Sequence, residues 1–234
     1  MAIEFNNTPV QYINFGTPDL LNNLSLKTMC VWCYLNSISE SDTIIDKSDQ
    51  AIIGWTIRIS SDNKIEFFTG FSTIYGIWKT DASPSASSWF HLAVSYDNTS
   101  VDNDPIIYIN GAHVAITETS TPYGTIRNDS FIRLCIGASY LEIETTLNGQ
   151  TEDPRIYNVI LTQPEIEEIC NSRCERSISR GLVFAPKFYG AAGLSSFDGA
   201  TLSSANTIID RISGVQGIPS GSPIGRGNTI QRIY

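Results

Sequence analysis

Long apolar runs are missing from this chain: no stretch approaches the ~18–20 apolar residues that a helical membrane span requires, which excludes such a span from the sequence. Charge is scarce too. Asp, Glu, Lys and Arg make up 17% of the 234 residues, the balance is −9, and no basic stripe occurs. Nucleic acid and anionic membrane surfaces both demand clustered Lys and Arg, so neither is the expected partner. Histidine occurs twice, as His91 and His113, and there is no nucleophile elbow and no phosphate-cradling glycine loop. That leaves little for Ser/His/Asp catalysis or phosphate binding.

Cysteine is present without the pattern of a disulfide framework. The five are Cys30, Cys33, Cys135, Cys170 and Cys174, an odd number, which reads as reduced thiols. Cys30 and Cys33 have zinc-like spacing, but residues three apart on a strand point to opposite faces. Cys170 and Cys174 are four apart in a helical-looking stretch with no histidine nearby, which is not a knuckle spacing. Buried apolar thiols are the simpler reading. The opening residues, MAIEFNNTPV, have neither a basic nor an apolar signal region, so the expectation is a protein made in a cytoplasm without a secretory signal.

What is plentiful is strand-like sequence separated by polar turns. QYINF (11–15), LKTMCVWCYL (26–35), AIIGWTIRI (51–59), KIEFFTG (64–70), IYGIWKT (74–80), WFHLAVSY (89–96), PIIYIN (105–110), AHVAIT (112–117) and SFIRLCIGAS (130–139) follow one another with no helix between them. Short strands in this rhythm predict an all-β antiparallel sandwich or barrel. In WFHLAVSY, Phe90, Leu92, Val94 and Tyr96 alternate with Trp89, His91, Ala93 and Ser95, the period of a strand. Asn110-Gly111 between the next two runs is a strong hairpin signal, because a type I′ turn needs positive φ at both central residues.

One segment, TQPEIEEICNSRCER (162–176), reads as a short amphipathic helix. Thr162 and Glu165 form a capping box, and Pro164 falls in the first turn, where its missing N–H costs nothing. Ile166, Ile169 and Cys170 make a narrow apolar stripe.

These residues carry a resemblance. WFHLAVSYD followed by IYING is similar to the central hairpin of the laminin-G-like, concanavalin-A-like jelly rolls. YINFG with LNNLSLKTMCVWCYLN, and LNGQTEDPRIYNVILTQPEIEEI, resemble that family's opening strands and its closing strand and helix, in the same order. Thr151-Glu152-Asp153-Pro154 departs from the family's Ile-Asp-Glu, and the loop Asn98–Asp104 is longer and more acidic than usual. The resemblance implies a jelly-roll sandwich over residues 1–176, and says little about ligand, because this fold hosts enzymes, lectins and structural proteins.

Several site readings follow from the resemblance. Glucanases of the fold use paired carboxylates on one strand. The nearest match, Glu142-Ile143-Glu144, lacks a third acid, so it reads as a loop and the chain as a non-enzyme. Related domains sometimes hold calcium at sheet-edge loops, and Asp97, Asp102 and Asp104 offer the hard oxygens that calcium prefers; Asx turns account for the same residues. No other cofactor is implied. Trp55, Tyr75, Trp78, Trp89 and Tyr123 are candidates for a sugar platform, with Trp78 and Tyr75 foremost; core packing is the alternative for the large aromatics.

After about residue 177 the composition turns to Gly, Ser, Ala and Thr with isolated apolar residues. Residues 177–234 read as an extended arm, with Ile218, Ile224, Ile230, Ile233 and Tyr234 as anchors along a neighbouring subunit or as edge strands in cis or in trans. On this basis the expected function is a non-enzymatic structural protein of a large assembly, a homo-oligomer on a virion such as a bacteriophage capsid decoration (cement) protein. The alternative is a carbohydrate-binding module or receptor-binding fibre or adhesin head that takes a cell-surface glycan.

Overall fold

The computed structural model describes residues 2–6, 10–38, 42–139, 146–172, 178–186, 188, 201–203 and 208–226. In chain order the strands are β1 (Ala2–Phe5), β2 (Tyr12–Asn14), β3 (Leu26–Leu35), β4 (Thr43–Ser48), β5 (Gly54–Ile59), β6 (Ile65–Thr69), β7 (Gly76–Thr80), β8 (Trp89–Asp97), β9 (Ile106–Ile109), β10 (Ala112–His113), β11 (Ile116–Ser120), β12 (Cys135–Ile136) and β13 (Gly149–Tyr157). Helix α1 (Gln163–Ser172) follows, and then β14 (Leu182–Phe184), β15 (Ile208–Ile209), β16 (Gln216–Ser220) and β17 (Ile224–Arg226).

They form two antiparallel sheets. One runs β10-β9-β8-β3-β13-β1-β17 with β14 also paired to β13; the other runs β11-β7-β6-β5-β4-β12-β2-β16-β15. The architecture is the predicted β-sandwich with a single α-helix among the described residues, and that helix is too short to cross a membrane.

The period-two pattern explains the core. Met29, Val31 and Cys33 of β3 and Leu92 and Val94 of β8 face inward against Ile45, Ile57, Phe67 and Trp78 of the opposite sheet. Apolar burial of this kind, at about 25 cal/mol per Å², holds the sheets together. The alternate residues of the first sheet, Cys30, Ala93, Tyr108 and Tyr157, form a second cluster with Ile166 and Ile169 of α1. Cys30 and Cys33 thus sit in different clusters on opposite faces of one strand, both buried and unpaired. Burial pushes the Cys30 thiol up to about 12. Cys174 lies outside the described residues.

The local signals act as read. The Thr162 N–H and hydroxyl donate to Glu165 Oε2 at 2.8 and 3.0 Å, closing the capping box. Asn110 and Gly111 have φ of 52° and 82°, and the Asn110 side chain accepts the His91 N–H at 2.8 Å, clipping the turn to β8. His91 itself is buried beside Trp32, and burial followed by the Arg155 charge pushes its pKa down to about 3. The departure at Asp153-Pro154 is a bulge: the register of β13 on β3 shifts between Glu152 and Arg155, Asp153 adopts a φ of 49°, and its carboxylate takes a bidentate pair from Arg155 at 3.0 and 2.6 Å.

The tail differs from a free arm. β14 pairs with β13, β16 with β2, and β17 with β1, all within the chain. Phe184, Leu202 and Ile208 are buried in the inter-sheet core, and the buried Asp210 accepts N–H bonds from Ala185 and Ser213. Sparse anchors that looked inadequate for a core of their own instead complete the core of the preceding residues. Residues 1–176 are therefore not closed without the tail. Ile224 lies in β17 on the edge of the eight-stranded sheet. Ile230, Ile233 and Tyr234 lie outside the described residues.

Candidate functional site

The candidate site is an open groove of about 730 Å³ on the outer side of the nine-stranded sheet, where β2, β12 and β16 lie side by side. Ile13 of β2 and Ile136 of β12 point into the core, so Asn14 points out. Ile218 is paired with Asn14 across β16 and β2, which sends it outward as well. The 129–133 segment, held by the Ile132 N–H on the Asp129 carbonyl at 2.9 Å, brings Phe131 and Arg133 to the same place.

Phe131 and Ile218 are 61% and 47% exposed, and Asn14, Thr17, Arg133 and Gln216 surround them. The Asn14 carboxamide oxygen accepts the Gly16 N–H at 2.8 Å, which fixes the amide. Exposed apolar faces ringed by amide, hydroxyl and guanidinium groups suit a ligand with both C–H faces and hydroxyls. Among the described residues, no carboxylate lines the groove. Glycoside hydrolysis through a carboxylate pair flanking the bond therefore has no acid and base there.

The sequence-derived sites fare differently. Trp78 is 1% exposed: it stacks on Phe67 in the core, and its indole N–H donates to Asp104 Oδ1 at 2.7 Å. It presents no face to a sugar. The physical reason is register, since Trp78 pairs with the inward Phe67, and Gly76 keeps room for its ring, because a Cβ there would meet Trp78 at 2.3 Å. Trp55 is equally buried, and Trp89 is half-buried against Tyr34. Tyr75 and Tyr123 remain as surface aromatics, 39% and 64% exposed. Reciprocal Ile74–Tyr123 backbone bonds at 3.1 and 2.9 Å join their loops at the β7–β11 end, away from the groove strands in the sheet order.

The acidic loop is built from turns. Asp97 Oδ1 accepts the Thr99 N–H and hydroxyl at 2.9 and 2.6 Å, and these bonds pull its pKa down. Asp102 accepts from Ser100 at 3.3 Å, and Asp104 is engaged by Trp78. These three carboxylates do not converge, and among the described residues no group of three or more His, Cys, Asp or Glu is arranged to hold a metal ion. Glu142 and Glu144 lie outside the described residues.

Sequence reasoning missed Asn14, Phe131, Arg133 and Gln216. Each sits in an unremarkable context, and long-range pairing assembles them: β16 lies on β2 from more than 200 positions away, and the Leu134–Phe15/Gly16 bonds bring the residues before β12 to its other side. Ile218 was singled out as an assembly anchor; its exposure is real, and its setting is the groove wall.

No curated protein matches the chain. Among solved structures it is similar to an inferred carbohydrate-binding protein from Bacteroides ovatus ATCC 8483, with 17% identity and a TM-score of 0.67 over 98% of this chain and 61% of that one. The chain thus spans about three fifths of that protein. It is also similar to the heptameric SAP-like pentraxin of Limulus polyphemus, with 13% identity and a TM-score of 0.56 over 93% of this chain and 94% of that one. Residues 7–167 match the family model described as Laminin_G_3, concanavalin A-like lectin/glucanases superfamily. With well over half of its length matched, and with the two antiparallel sheets of the sandwich in place, this chain belongs to the concanavalin A-like lectin/glucanases superfamily.

Proposed function

We propose that the chain is a non-catalytic carbohydrate-binding module that takes a glycan, such as one on a cell surface, in the β2–β12–β16 groove. The observation that carries this reading is the pairing of two exposed apolar side chains, Phe131 and Ile218, with Asn14, Arg133 and Gln216 around one open groove with no carboxylate among the described residues that line it. The likeness in fold to an inferred carbohydrate-binding protein supports it. Phe131 and Ile218 cover the apolar face of a sugar ring, while the amides and the guanidinium bond its hydroxyls. The described tail strands pair with β1, β2 and β13 of their own chain, the arrangement in cis, and β16 thereby forms one wall of the groove.

The test is a glycan array and polysaccharide pull-down with the full chain, Phe131→Ala and Tyr75→Ala. Phe131→Ala loses about tenfold or more in affinity, as truncation of a central binding residue does, and its melting temperature is unchanged because the side chain is exposed. Loss of binding in Tyr75→Ala alone would move the site to the β7–β11 end and overturn the groove. Absence of binding to every glycan would overturn the function.

A further inference from the structure

A second cavity, independent of the glycan reading, lies at one loop end of the sandwich. It has a volume of about 10 Å³ and is lined by Lys27, Trp55, Thr69, Asn98, Arg127 and Asp129 among others. That is room for one small species and none for a sugar ring.

Two of its lining side chains are buried donors without an acceptor. Lys27 and Trp55 are each 1% exposed, and neither Lys27 Nζ nor Trp55 Nε1 has a hydrogen-bond partner among the described residues. Leaving such donors unpaired costs about 1–3 kcal/mol each, more for a charged group. The obvious acceptor nearby is already engaged: Asp129 Oδ1 takes the Asn23 N–H at 2.7 Å and pairs with Lys47 Nζ at 3.2 Å, and Lys47 also donates to the Asp129 carbonyl at 2.6 Å. The Lys27 ammonium lies over the Tyr96 ring, 5.4 Å from its centroid.

Charge adds to the argument. Lys47 is paired with Asp129 and Arg127 is exposed, so Lys27 is the buried cation here, drawn toward Asp129 and Asp97 without forming an ion pair with either among the described residues. Burial lowers the Lys27 pKa to about 7 against the opposing pull of Asp129 and Asp97. A buried ammonium without a contacting counter-charge is a strongly unfavourable arrangement.

We propose that this cavity binds a monatomic anion of chloride size between Lys27 Nζ and Trp55 Nε1. A halide accepts from both donors, needs no acceptor of its own and supplies the missing charge. A water molecule satisfies the two donors but brings two hydrogens that need acceptors, and it leaves the charge uncompensated. The ion bridges β3 to β5 from the inside and secures the loops around Asn98 and Asp129.

The experiment measures thermal unfolding of the full chain in sodium chloride and in sodium gluconate at equal ionic strength, alongside diffraction from crystals soaked in sodium bromide. The expected result is a chloride-specific rise of about 3–6 °C in melting temperature for each tenfold increase above the dissociation constant, with an anomalous bromide peak between Lys27 and Trp55. Lys27→Met, which keeps the volume and removes the charge, loses the chloride response. Equal melting in chloride and gluconate, with only water density in the cavity, would overturn the proposal. A chloride response that survives in Lys27→Met would overturn it equally. The bromide peak in the wild type decides the matter if the variant does not fold.

Discussion

The two outer faces of the sandwich solve the same problem in different ways. On the eight-stranded sheet, the residues that alternate with the core are Cys30, Ala93, Tyr108 and Tyr157, and α1 lays Ile166 and Ile169 over them. On the nine-stranded sheet the equivalent positions carry polar groups. Asp46 accepts from Ser48 at 2.6 Å, from Gln50 at 2.7 Å, from Ser139 at 3.1 Å and from the Thr56 hydroxyl. Beside it, Arg58, Glu66, Lys79 and Asp62 form a chain of ion pairs at 2.6, 3.5 and 3.0 Å. One face is covered by apolar burial under α1. The other is held by directed polar bonds and leaves its far end, at β2 and β16, open as a groove.

This contrast breaks most easily at the helix. Ile166→Ala is expected to cost about 2–5 kcal/mol in urea unfolding, because it removes a buried side chain from the helix that packs over the eight-stranded sheet. A cost below about 1 kcal/mol would mean that α1 is a passenger.

The polar face is expected to show itself in pH dependence. Burial raises the Asp46 pKa from 3.8 to about 6 against the pull of its hydroxyl partners. A carboxyl whose folded value lies above its unfolded one takes up a proton on folding in this window. Its penalty is therefore absent below about pH 4 and full above about pH 6, so stability falls as pH rises between them. The difference between wild type and Asp46→Asn should change across that window by up to about 3 kcal/mol. A flat difference would show that the hydroxyl network fully compensates the charge.

The smallest effect belongs to the ion-pair chain. Lys79→Met should cost about 0.2–1 kcal/mol, and less in high salt, as half-exposed pairs do. A larger, salt-independent loss would place this row among the structural supports rather than the surface.

How much of this was legible depends on where the signal lies. β3 occupies the predicted run 26–35, and the Asn110-Gly111 turn and the capping box at Thr162 form as their local chemistry dictates. β4 was missed because TIIDKS carries Asp46 and Lys47, which read as surface; both are buried, each satisfied by a partner far along the chain such as Ser139 or Asp129. Trp78 was read as a ligand contact because alternation does not say which face of β7 looks inward. The groove was invisible for a similar reason, since its walls meet only through long-range pairing.

That pairing has a consequence for how the protein is made. β1 and β2 leave the ribosome more than 200 residues ahead of their outer neighbours β17 and β16. At roughly 5–20 residues per second, the interval is on the order of 10–45 s. Throughout it, both sheets keep an unpaired edge of the kind that recruits foreign strands. The nascent chain cannot close its sandwich until β16 and β17 have been made, so two early strands wait for partners encoded far behind them.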